Sequence, residues 1–490
     1  MEVNTKELTL EEYGHMLLKE INTLMKNGTI HELYNKRDEC QDDVDYISEV
    51  AHVKRFLELW AADSELRELL KNGEPLPEKY QFGVDVSKLR SLWDEGVDFS
   101  MPPMVALRYK AFNFEKLTHR NRMQKNDESS LPEYNQWRTL NMNRCEMELN
   151  PGTAASIVHA PFCIELCSGC SVGCWFCGIS APKLEDIFLY TEENAALYKS
   201  VLRTLKRVFG GAAAKGFGYW ATDPLDNPDY EKFMIDFHTI LGEFPQTTTA
   251  LPLKDVERTK RLLALSREKD GKLDRFSILS LKQLLKVFDE FTAEELLYVE
   301  LVTQNKESYG AKSKAGRATS ASEKRISDKK NETGNQVADG TIACVSGFLI
   351  SMVDRSIKLI SPCMPTEEWP LGYIVFDEGT FDSGEEFDAL VTKMFDEQMK
   401  LNLPLNTEMN FLSSLNYHEY DDGFALSSMH LTKNFRSSQF FKDIGPLIHE
   451  GNLKAEDIME RLEQKSGFMP AETLFALNQI YNQGVIQVSK

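Results

Sequence analysis

The sequence has no long hydrophobic run and no surplus of positive charge. No stretch of its 490 residues approaches the ~18 consecutive apolar residues that cross a bilayer. The N-terminal segment MEVNTKELTLEEYG also lacks the basic-then-apolar order of a secretory signal. A formal net charge of −20 opposes electrostatic binding to nucleic acid or to an anionic membrane. We therefore expect a cytoplasmic protein that binds neither nucleic acid nor membrane.

Cysteines are few and unevenly placed. Five of the nine lie between Cys163 and Cys177, and only Cys344 and Cys363 follow them. This distribution is not that of a disulfide framework. In a reducing compartment, such clustering favours a metal site or a catalytic site.

The chain is too long, at 490 residues, for one ordinary hydrophobic core. Residues 1–150 are predicted to be mainly helical, because apolar residues recur at helical spacing over 47–70 and Gly73 follows as a stop signal. We expect a central functional domain over 151–400 and a small separate domain over 404–490.

Short apolar runs alternate with longer amphipathic stretches in the central region, which predicts an α/β fold with a parallel sheet, either open or closed into a barrel. The predicted strands are 162–166, 216–220, 247–251, 275–281 and 297–303. The predicted helices between them include 192–209, 230–242 and 256–268. A β-hairpin is predicted over 342–352 and 356–360. Parallel sheets place their chemistry at the carboxyl ends of the strands.

A polar segment over 306–341 carries eight Lys or Arg residues against five Asp or Glu residues. One interpretation is a mobile loop. The alternative is a flap over a substrate entrance, with Lys312, Lys314 and Arg317 nearest to the last strand.

The C-terminal region combines a hairpin about Asp422 with helices near 439–450, 454–465 and 471–482 and a terminal strand at 485–488. This order predicts a winged-helix-like α+β domain. Seven Lys or Arg residues against eleven Asp or Glu residues oppose contacts with phosphates. We expect this domain to bind a peptide or to be purely structural.

The most informative motif is Cys170, Cys174 and Cys177 in CSVGCWFC, a C-x3-C-x2-C triplet. Three thiolates at this spacing can bind three irons of a 4Fe–4S cluster and leave the fourth iron open to a small molecule. Zinc is an alternative, because Cys167 and Cys170 form a second C-x2-C pair. Zinc-binding pairs, however, are normally separated by about a dozen residues or more. An ordinary electron-transfer cluster is a further alternative.

The triplet resembles that of the radical S-adenosylmethionine (SAM) superfamily, in which SAM occupies the open iron. The resemblance implies a partial (β/α)6 barrel and contact between the adenine and the backbone of Phe176. The cofactor contacts that it implies at the end of the second predicted strand are Tyr219, Ala221, Thr222 and Asp223.

Asp223 in particular suits the ammonium group of the methionine moiety, because a carboxylate is a strong acceptor for a cation. A turn that opens with Asp-Pro is the structural alternative. Ser277 and Ser280, on the fourth predicted strand, are further candidate contacts to the ribose or the carboxylate of the cofactor.

Four stretches, CSGCSVGCWFCG, YWATDPLDNPDY, GTIACVSGFLISMVDRSIKLISPC and WPLGYIVFDEGTF, resemble the radical SAM peptide epimerases that mature proteusin-type ribosomal peptides. The resemblance implies an isomerase. A 5′-deoxyadenosyl radical would remove the Cα hydrogen of an L-residue in a precursor peptide, and a cysteine thiol on the opposite face would return a hydrogen to give the D-residue. Cys344 is the preferred donor and Cys363 the second candidate. Each could instead be a buried small hydrophobe.

The resemblance further implies a precursor peptide of leader plus core, an electron donor such as flavodoxin or ferredoxin, and leader binding by strand addition at the C-terminal domain. Two alternatives stay open. The first is another radical SAM modification of a peptide, such as crosslinking or methylation. The second is a non-catalytic iron–sulfur or zinc protein. The absence of a cysteine-rich tail favours epimerisation over crosslinking at an auxiliary cluster.

Overall fold

A computed structural model describes residues 44–94, 131–269, 273–309, 312–319, 337–436 and 438–487, with Gly271 and scattered positions between 96 and 113. Predictions for residues 1–43, for 320–336 of the basic segment and for Val488 lie outside the described residues. The described part is mixed α/β, and none of its helices is long and apolar enough to cross a bilayer.

Two helices open the described chain, α1 (Val44–Ala62) and α2 (Ser64–Asn72), where the sequence predicts one helical stretch over 47–70. Asp63 separates them, because its side chain accepts hydrogen bonds from two backbone N–H groups in the first turn of α2. Gly73 ends α2 in the left-handed conformation, with φ at 68°, which confirms the predicted stop. The helices that follow before the central sheet are α3 (Arg90–Trp93), α4 (Pro132–Glu148) and α5 (Pro151–Ser156).

Strands and helices alternate through the middle of the chain, as the sequence predicts. The strands are β1 (Ala160–Glu165), β2 (Cys167–Ser168), β3 (Asp186–Ile187), β4 (Thr248–Thr249), β5 (Asp274–Ile278) and β6 (Val299–Thr303). The helices are α6 (Glu192–Phe209), α7 (Tyr230–Leu241), α8 (Val256–Glu268) and α9 (Leu281–Glu290). The bounds of α6 and α8 match the predicted helices residue for residue.

Strands β4, β5 and β6 form one parallel sheet. The predicted strand at 216–220 forms only a single parallel bridge, between Phe217 and Cys163 of β1. Within the residues that the structure describes, the strands form no closed barrel. The predicted partial barrel is therefore confirmed only at the level of a mixed α/β arrangement with parallel strands.

The predicted late hairpin is present, and it extends the sheet of β1. Its elements and neighbours are β7 (Lys312–Ser313), β8 (Val337–Ala338), β9 (Val345–Ser351), β10 (Ser356–Pro362), β11 (Tyr373–Thr380) and α10 (Gly384–Gln398). Strand β9 is parallel to β1 and antiparallel to β10, so the sheet order is β1-β9-β10-β11. Gly347 permits the close approach of β9 to β1, since a Cβ there would lie 1.8 Å from the carbonyl oxygen of Pro161.

The side chains of β1 alternate between the two faces of the sheet, and the two faces have different surroundings. Phe162 and Ile164 belong to a large apolar core that α6, α7 and α10 cover. Cys163 belongs instead to a smaller cluster on the other face, together with Phe217 and Leu349. We call this second face the interior face, because the candidate site lies there.

The C-terminal unit contains a three-stranded antiparallel sheet and three helices around its own apolar core. Its elements are β12 (Asn416–Tyr420), β13 (Gly423–Ser427), β14 (Thr432–Arg436), α11 (Gln439–Glu450), α12 (Ala455–Ser466) and α13 (Pro470–Asn482). The predicted terminal strand is reduced to a bridge between Ile486 and Phe411. The unit joins α4 through a 2.7 Å hydrogen bond from the Asn143 amide to the Asn482 carbonyl.

A buried ion pair attaches α1 to β6. The Lys54 ammonium, 3% exposed as a residue, donates to the Glu58 carboxylate at 2.5 Å and to the Val299 carbonyl at 2.6 Å. Glu58 in turn accepts a hydrogen bond from the Leu301 backbone N–H at 3.0 Å. The helical N-terminal region is thus connected to the central sheet by polar contacts as well as by apolar ones.

Lys54→Met should lower the free energy of unfolding by about 3 kcal/mol, because it leaves the partly buried Glu58 carboxylate without this cation. Urea unfolding followed by circular dichroism measures the change. Lys79→Met is the matched control, since the Lys79–Glu65 pair is more than half exposed and should contribute nothing measurable. A Lys54→Met protein as stable as the control would contradict the prediction.

Candidate functional site

The three cysteines of the triplet lie in an irregular loop between β2 and β3, just beyond the carboxyl end of β1. Cys170, Cys174 and Cys177 are all half-buried. The Cys177 backbone N–H donates to the Cys174 carbonyl at 3.3 Å, which closes a tight turn. Gly173 adopts a left-handed φ of 64° with open space around it, so the loop can wrap around a bulky group. We call residues 168–181 the cysteine loop.

The electrostatic surroundings of these thiols fit a bound cluster. Burial, together with the neighbouring Cys170 and Cys177, raises the pKa of Cys174 to about 11, and the charge of Arg317 acts in the opposite direction. Burial also raises the pKa of Cys170. The sulfurs are therefore close enough to interact, and three thiolates here would need a strongly positive group between them.

Across the described residues, no three His, Cys, Asp or Glu side chains converge in the manner of a single-ion site. Three cysteines that bind three different irons of a cube need not converge on one point. The half-buried triplet, its turn and its open glycine are the features that match such a cube.

A buried carboxylate anchors the cysteine loop. Asp226 accepts hydrogen bonds from the Ser171 backbone N–H at 2.9 Å and from the Ser171 hydroxyl at 2.6 Å. Among the described residues, the one cation that pairs with Asp226 is the ammonium group of the exposed Lys254, 3.4 Å from its carboxylate. The sequence analysis did not identify Asp226. Its signal was the unusual run of Asp and Asn residues in YWATDPLDNPDY.

Asp223, a predicted cofactor contact, is 4% exposed and already holds three hydrogen bonds. Its carboxylate accepts from the Leu225 N–H at 3.0 Å, the Thr249 hydroxyl at 2.7 Å and the Ala250 N–H at 2.7 Å. Burial raises its pKa to about 6. The contacts show that the turn opened by Asp-Pro, the structural alternative, is present. The contact with an ammonium group stays a prediction.

The other predicted residues of this motif lie beside Asp223 and contact neighbouring strands. The Tyr219 hydroxyl lies 2.7 Å from the Thr248 hydroxyl of β4. The Ala221 backbone N–H donates to Glu165 at 2.7 Å, and the Thr222 hydroxyl lowers the pKa of the nearby Cys167 thiol against the effect of burial. The structure therefore brings these residues together where the central strands end.

The remaining predicted cofactor contacts are more dispersed. The Phe176 ring is half-buried and packs edge-on against Trp175, with ring centroids 5.4 Å apart. Ser277 lies on β5, on the same face as Arg275. Ser280 lies beyond the strand and begins α9, where its hydroxyl accepts a hydrogen bond from the Gln283 N–H at 3.1 Å. This cap gives Ser280 a structural role.

Cys344 lies on the interior face, immediately before β9. Its carbonyl accepts a 2.8 Å hydrogen bond from the backbone N–H of Ala160, the first residue of β1. Its half-buried side chain packs with the interior cluster that contains Cys163, Tyr219 and Tyr373. Burial raises the pKa of the Cys344 thiol to about 11, and the charge of Arg275 acts in the opposite direction.

The cysteine loop and Cys344 are connected through Ile342. A Cβ added at Gly178, the residue after Cys177, would lie 2.8 Å from the Ile342 side chain. Cys344 follows two residues later. The loop thus approaches the interior face from the carboxyl end of β1, while Cys344 approaches from the amino end.

Cys363, the second candidate donor, lies in a different environment. It follows β10, is 3% exposed, and its N–H donates to the Gly372 carbonyl at 3.0 Å. Burial raises the pKa of its thiol, and its charged and titratable neighbours include Glu148, Arg144 and Cys145 of α4. The structure does not place Cys363 in the interior cluster that holds Cys344.

Glu165 is a half-buried acid on the interior face that the sequence analysis missed. Burial raises its pKa to about 7, and its hydrogen bond from Ala221 acts in the opposite direction. A buried acid with a strongly shifted pKa beside a candidate site is a candidate functional group. The signal was the single acidic residue at the end of the otherwise apolar stretch APFCIE.

The described start of the basic segment, 312–319, lies against the cysteine loop. Lys312 is buried, and its ammonium donates to the Ser308 hydroxyl at 3.2 Å. Arg317 donates its backbone N–H to the Cys177 carbonyl at 3.0 Å. Lys314 is half-buried. The role of this segment as a flap over a substrate entrance stays a prediction.

Similarity to a known protein establishes the family. The sequence is 34% identical over 450 residues to the uncharacterized protein y4wI of Sinorhizobium fredii (strain NBRC 101917 / NGR234), and the match covers 89% of this chain and 87% of that protein. The chain belongs to the y4wI family. No protein-family model matches the sequence.

Among solved structures, this y4wI-family chain is similar to BtrN in complex with AdoMet and 2-DOIA. The match covers 30% of this chain and 56% of the BtrN chain, with 16% sequence identity and a TM-score of 0.24. The similarity therefore spans about half the length of BtrN.

Glu165 should make stability depend on pH between about 4.5, the ordinary value for Glu, and about 7. The folded state binds this proton more tightly than the unfolded chain, so its stabilising effect is complete below that window and is lost as the pH rises through about 7. Glu165→Gln should reduce the slope by roughly 1 kcal/mol per pH unit. Relative to wild type, it should be more stable at pH 8 than at pH 5.

Urea unfolding at pH 5, 6, 7 and 8 tests this expectation. Glu78→Gln serves as the control, because Glu78 is exposed and its substitution should leave the pH dependence unchanged. Parallel curves for Glu165→Gln and wild type would show that Glu165 is not the group responsible.

Proposed function

We propose that this protein is a radical SAM epimerase that converts L- to D-residues in a ribosomally synthesised precursor peptide. The observation that carries the proposal is the proximity of two features. A loop with three half-buried cysteines contacts Ile342, and the Cys344 thiol, two residues away, lies on the interior face. A radical generator and a hydrogen donor would then lie on the same side of the sheet.

Cys170, Cys174 and Cys177 would hold a 4Fe–4S cluster, with SAM on its open iron. When bound, this group supplies the electron that cleaves SAM to methionine and a 5′-deoxyadenosyl radical. The chain's own residues would bind and orient the cofactor. Phe176 follows the second cysteine closely, and Tyr219, Ala221 and Thr222 lie where the strands end.

The Cys344 thiol is suited to give a hydrogen atom. Its pKa of about 11 keeps the S–H bond intact at neutral pH, whereas a thiolate would have no hydrogen to give. Partial burial also limits the access of water to a radical intermediate. Cys363 shares the intact S–H bond, but it packs beside α4 and not on the interior face.

The hydrogen transfers balance as follows. The 5′-deoxyadenosyl radical would take the Cα hydrogen to become 5′-deoxyadenosine, which leaves a planar radical on the peptide residue. The Cys344 Sγ–H bond breaks, its hydrogen atom forms the new Cα–H bond on the opposite face, and a thiyl radical stays on the sulfur. One electron and one proton restore the thiol, and a redox protein such as flavodoxin or ferredoxin is the expected electron source.

The C-terminal unit is the expected binding site for the leader. Strand β12 pairs on one side with β13, and in the described residues no strand pairs with its other side. Most of its side chains are exposed. An extended leader could add there as a further strand through main-chain hydrogen bonds.

Cys174→Ala should abolish both the iron–sulfur absorbance and the release of 5′-deoxyadenosine by the anaerobically reconstituted protein. Cys167→Ala is the control, because Cys167 lies on β2 and is not assigned to the cluster. It should keep both signals. Turnover by Cys174→Ala would contradict the cluster assignment, and zinc bound by all four cysteines would make Cys167→Ala as defective as Cys174→Ala.

Cys344→Ala should still cleave SAM but should lose the formation of D-residues, whereas Cys363→Ala should retain both. Co-expression with a precursor peptide in deuterated water, followed by chirality and mass analysis of each residue, measures the outcome. Epimerisation adds one deuterium at each inverted Cα. Crosslinking would remove two hydrogens, and methylation would add a methyl group. Normal epimerisation by Cys344→Ala would overturn the assignment of the donor.

A further inference from the structure

We infer that the positive charge of Arg317 tunes the cluster site and favours the reduced state of a 4Fe–4S group held by Cys170, Cys174 and Cys177. This inference rests on the proposed function. It assigns a residue outside the triplet to the one-electron step that must precede SAM cleavage. Arg317 is a positioning residue in this scheme, since it acts through the electrostatic field and not as a ligand.

The first support is the attachment of Arg317 to the cysteine loop. Its backbone N–H donates to the carbonyl of Cys177 at 3.0 Å. The preceding residue, Gly316, donates its N–H to the Pro370 carbonyl at 3.0 Å. These two hydrogen bonds hold the backbone of residue 317 between the cysteine loop and the segment before β11.

The second support is the close approach that Gly316 permits. Its φ of 50° is in the left-handed region, and a Cβ there would lie 2.5 Å from the Gly178 carbonyl oxygen. Any larger residue would push 312–319 away from the loop. The glycine therefore lets Arg317 lie directly against the turn that contains the third cysteine.

The third support is the state of the guanidinium group. Its Nε atom is buried and has no hydrogen-bond partner. Within the described residues, no carboxylate forms an ion pair with Arg317. An arginine stays charged at any physiological pH, so this is a fixed, half-buried cation whose backbone is attached to the cysteine loop.

The other charges around the loop act in the opposite direction. Asp226 is a buried carboxylate beside the cysteine loop, where it accepts hydrogen bonds from Ser171, the residue after Cys170. Lys254 is paired with Asp226 and is more than half exposed, so water screens it. A three-thiolate cluster gains one further negative charge on reduction. Negative neighbours oppose that step, and a nearby half-buried cation favours it.

Redox titration followed by electron paramagnetic resonance tests the inference on the full-length, anaerobically reconstituted protein. Iron content and absorbance are measured first, so that only samples with equal cluster content are compared. Arg317→Gln should reduce the equilibrium constant for one-electron reduction at least tenfold, which corresponds to a downward shift in potential of about 59 mV. Arg317→Lys, which keeps the charge, should restore most of the wild-type potential.

Arg461→Gln is the matched control. It removes the same charge from an exposed position on α12 in the C-terminal unit, and the potential should not change. Equal potentials for Arg317→Gln and wild type, at equal cluster content, would overturn the inference and leave the proposed function intact. A wild-type protein that holds no cluster would instead overturn the proposed function.

A further variant tests the inference in case Arg317→Gln does not hold a cluster. Arg317→Met removes the charge but keeps a long apolar stem that can fill the same space. A lowered potential in Arg317→Met would support the inference. If neither neutral variant holds a cluster while Arg317→Lys does, Arg317 serves cluster assembly, and the effect on the potential is refuted.

Discussion

The hydrogen bonds from Ser171 to the buried Asp226 carboxylate hold the cysteine loop against the ends of the central strands. Asp226 closes a short 3-10 turn, Pro224–Asp226, and Asp223 caps the start of that turn. Asp223 also binds the backbone that follows β4. One turn thus connects the cysteine loop to the neighbouring sheet. Because its two carboxylates are buried, each must keep its donors, and the turn has little freedom to change shape.

Local patterns in the sequence predicted the helices well. The apolar spacing of α6 and α8 gave both ends correctly, since Thr191 and Asp255 cap them as short polar side chains do. The hairpin of β9 and β10 was equally clear from alternation. The parallel pairing of β9 with β1 could not be predicted, because it joins segments about 180 residues apart through a backbone approach that depends on Gly347.

The residues of the candidate site also divide into those that local sequence signals identify and those that depend on distant parts of the chain. The spacing of the triplet is a local signal, and the sequence identified it. Glu165 and Asp226 were missed because their importance comes from burial, which depends on distant elements that cover them. Ser280 has a further role that local patterns did not reveal, because its hydroxyl caps the start of α9, while its contact with the cofactor stays a prediction. The two late cysteines could be separated only by the fold, which places one on the interior face and the other beside α4.

The interior of the central strands favours the protonated, uncharged forms of its acids and thiols. Burial raises the pKa values of Glu165, Asp274 and Cys344 to about 7, about 7 and about 11, and it does so mainly by removing water from the charged form. The same exclusion of water is what hydrogen-atom transfer requires, because a carbon radical must meet only the intended donor. A site built from thiolates and ionised acids would need more solvent and would lose that selectivity. In the proposed function, a neutral thiol such as Cys344 is therefore the better donor, and the half-buried cysteine loop is the part of the site where charge would accumulate.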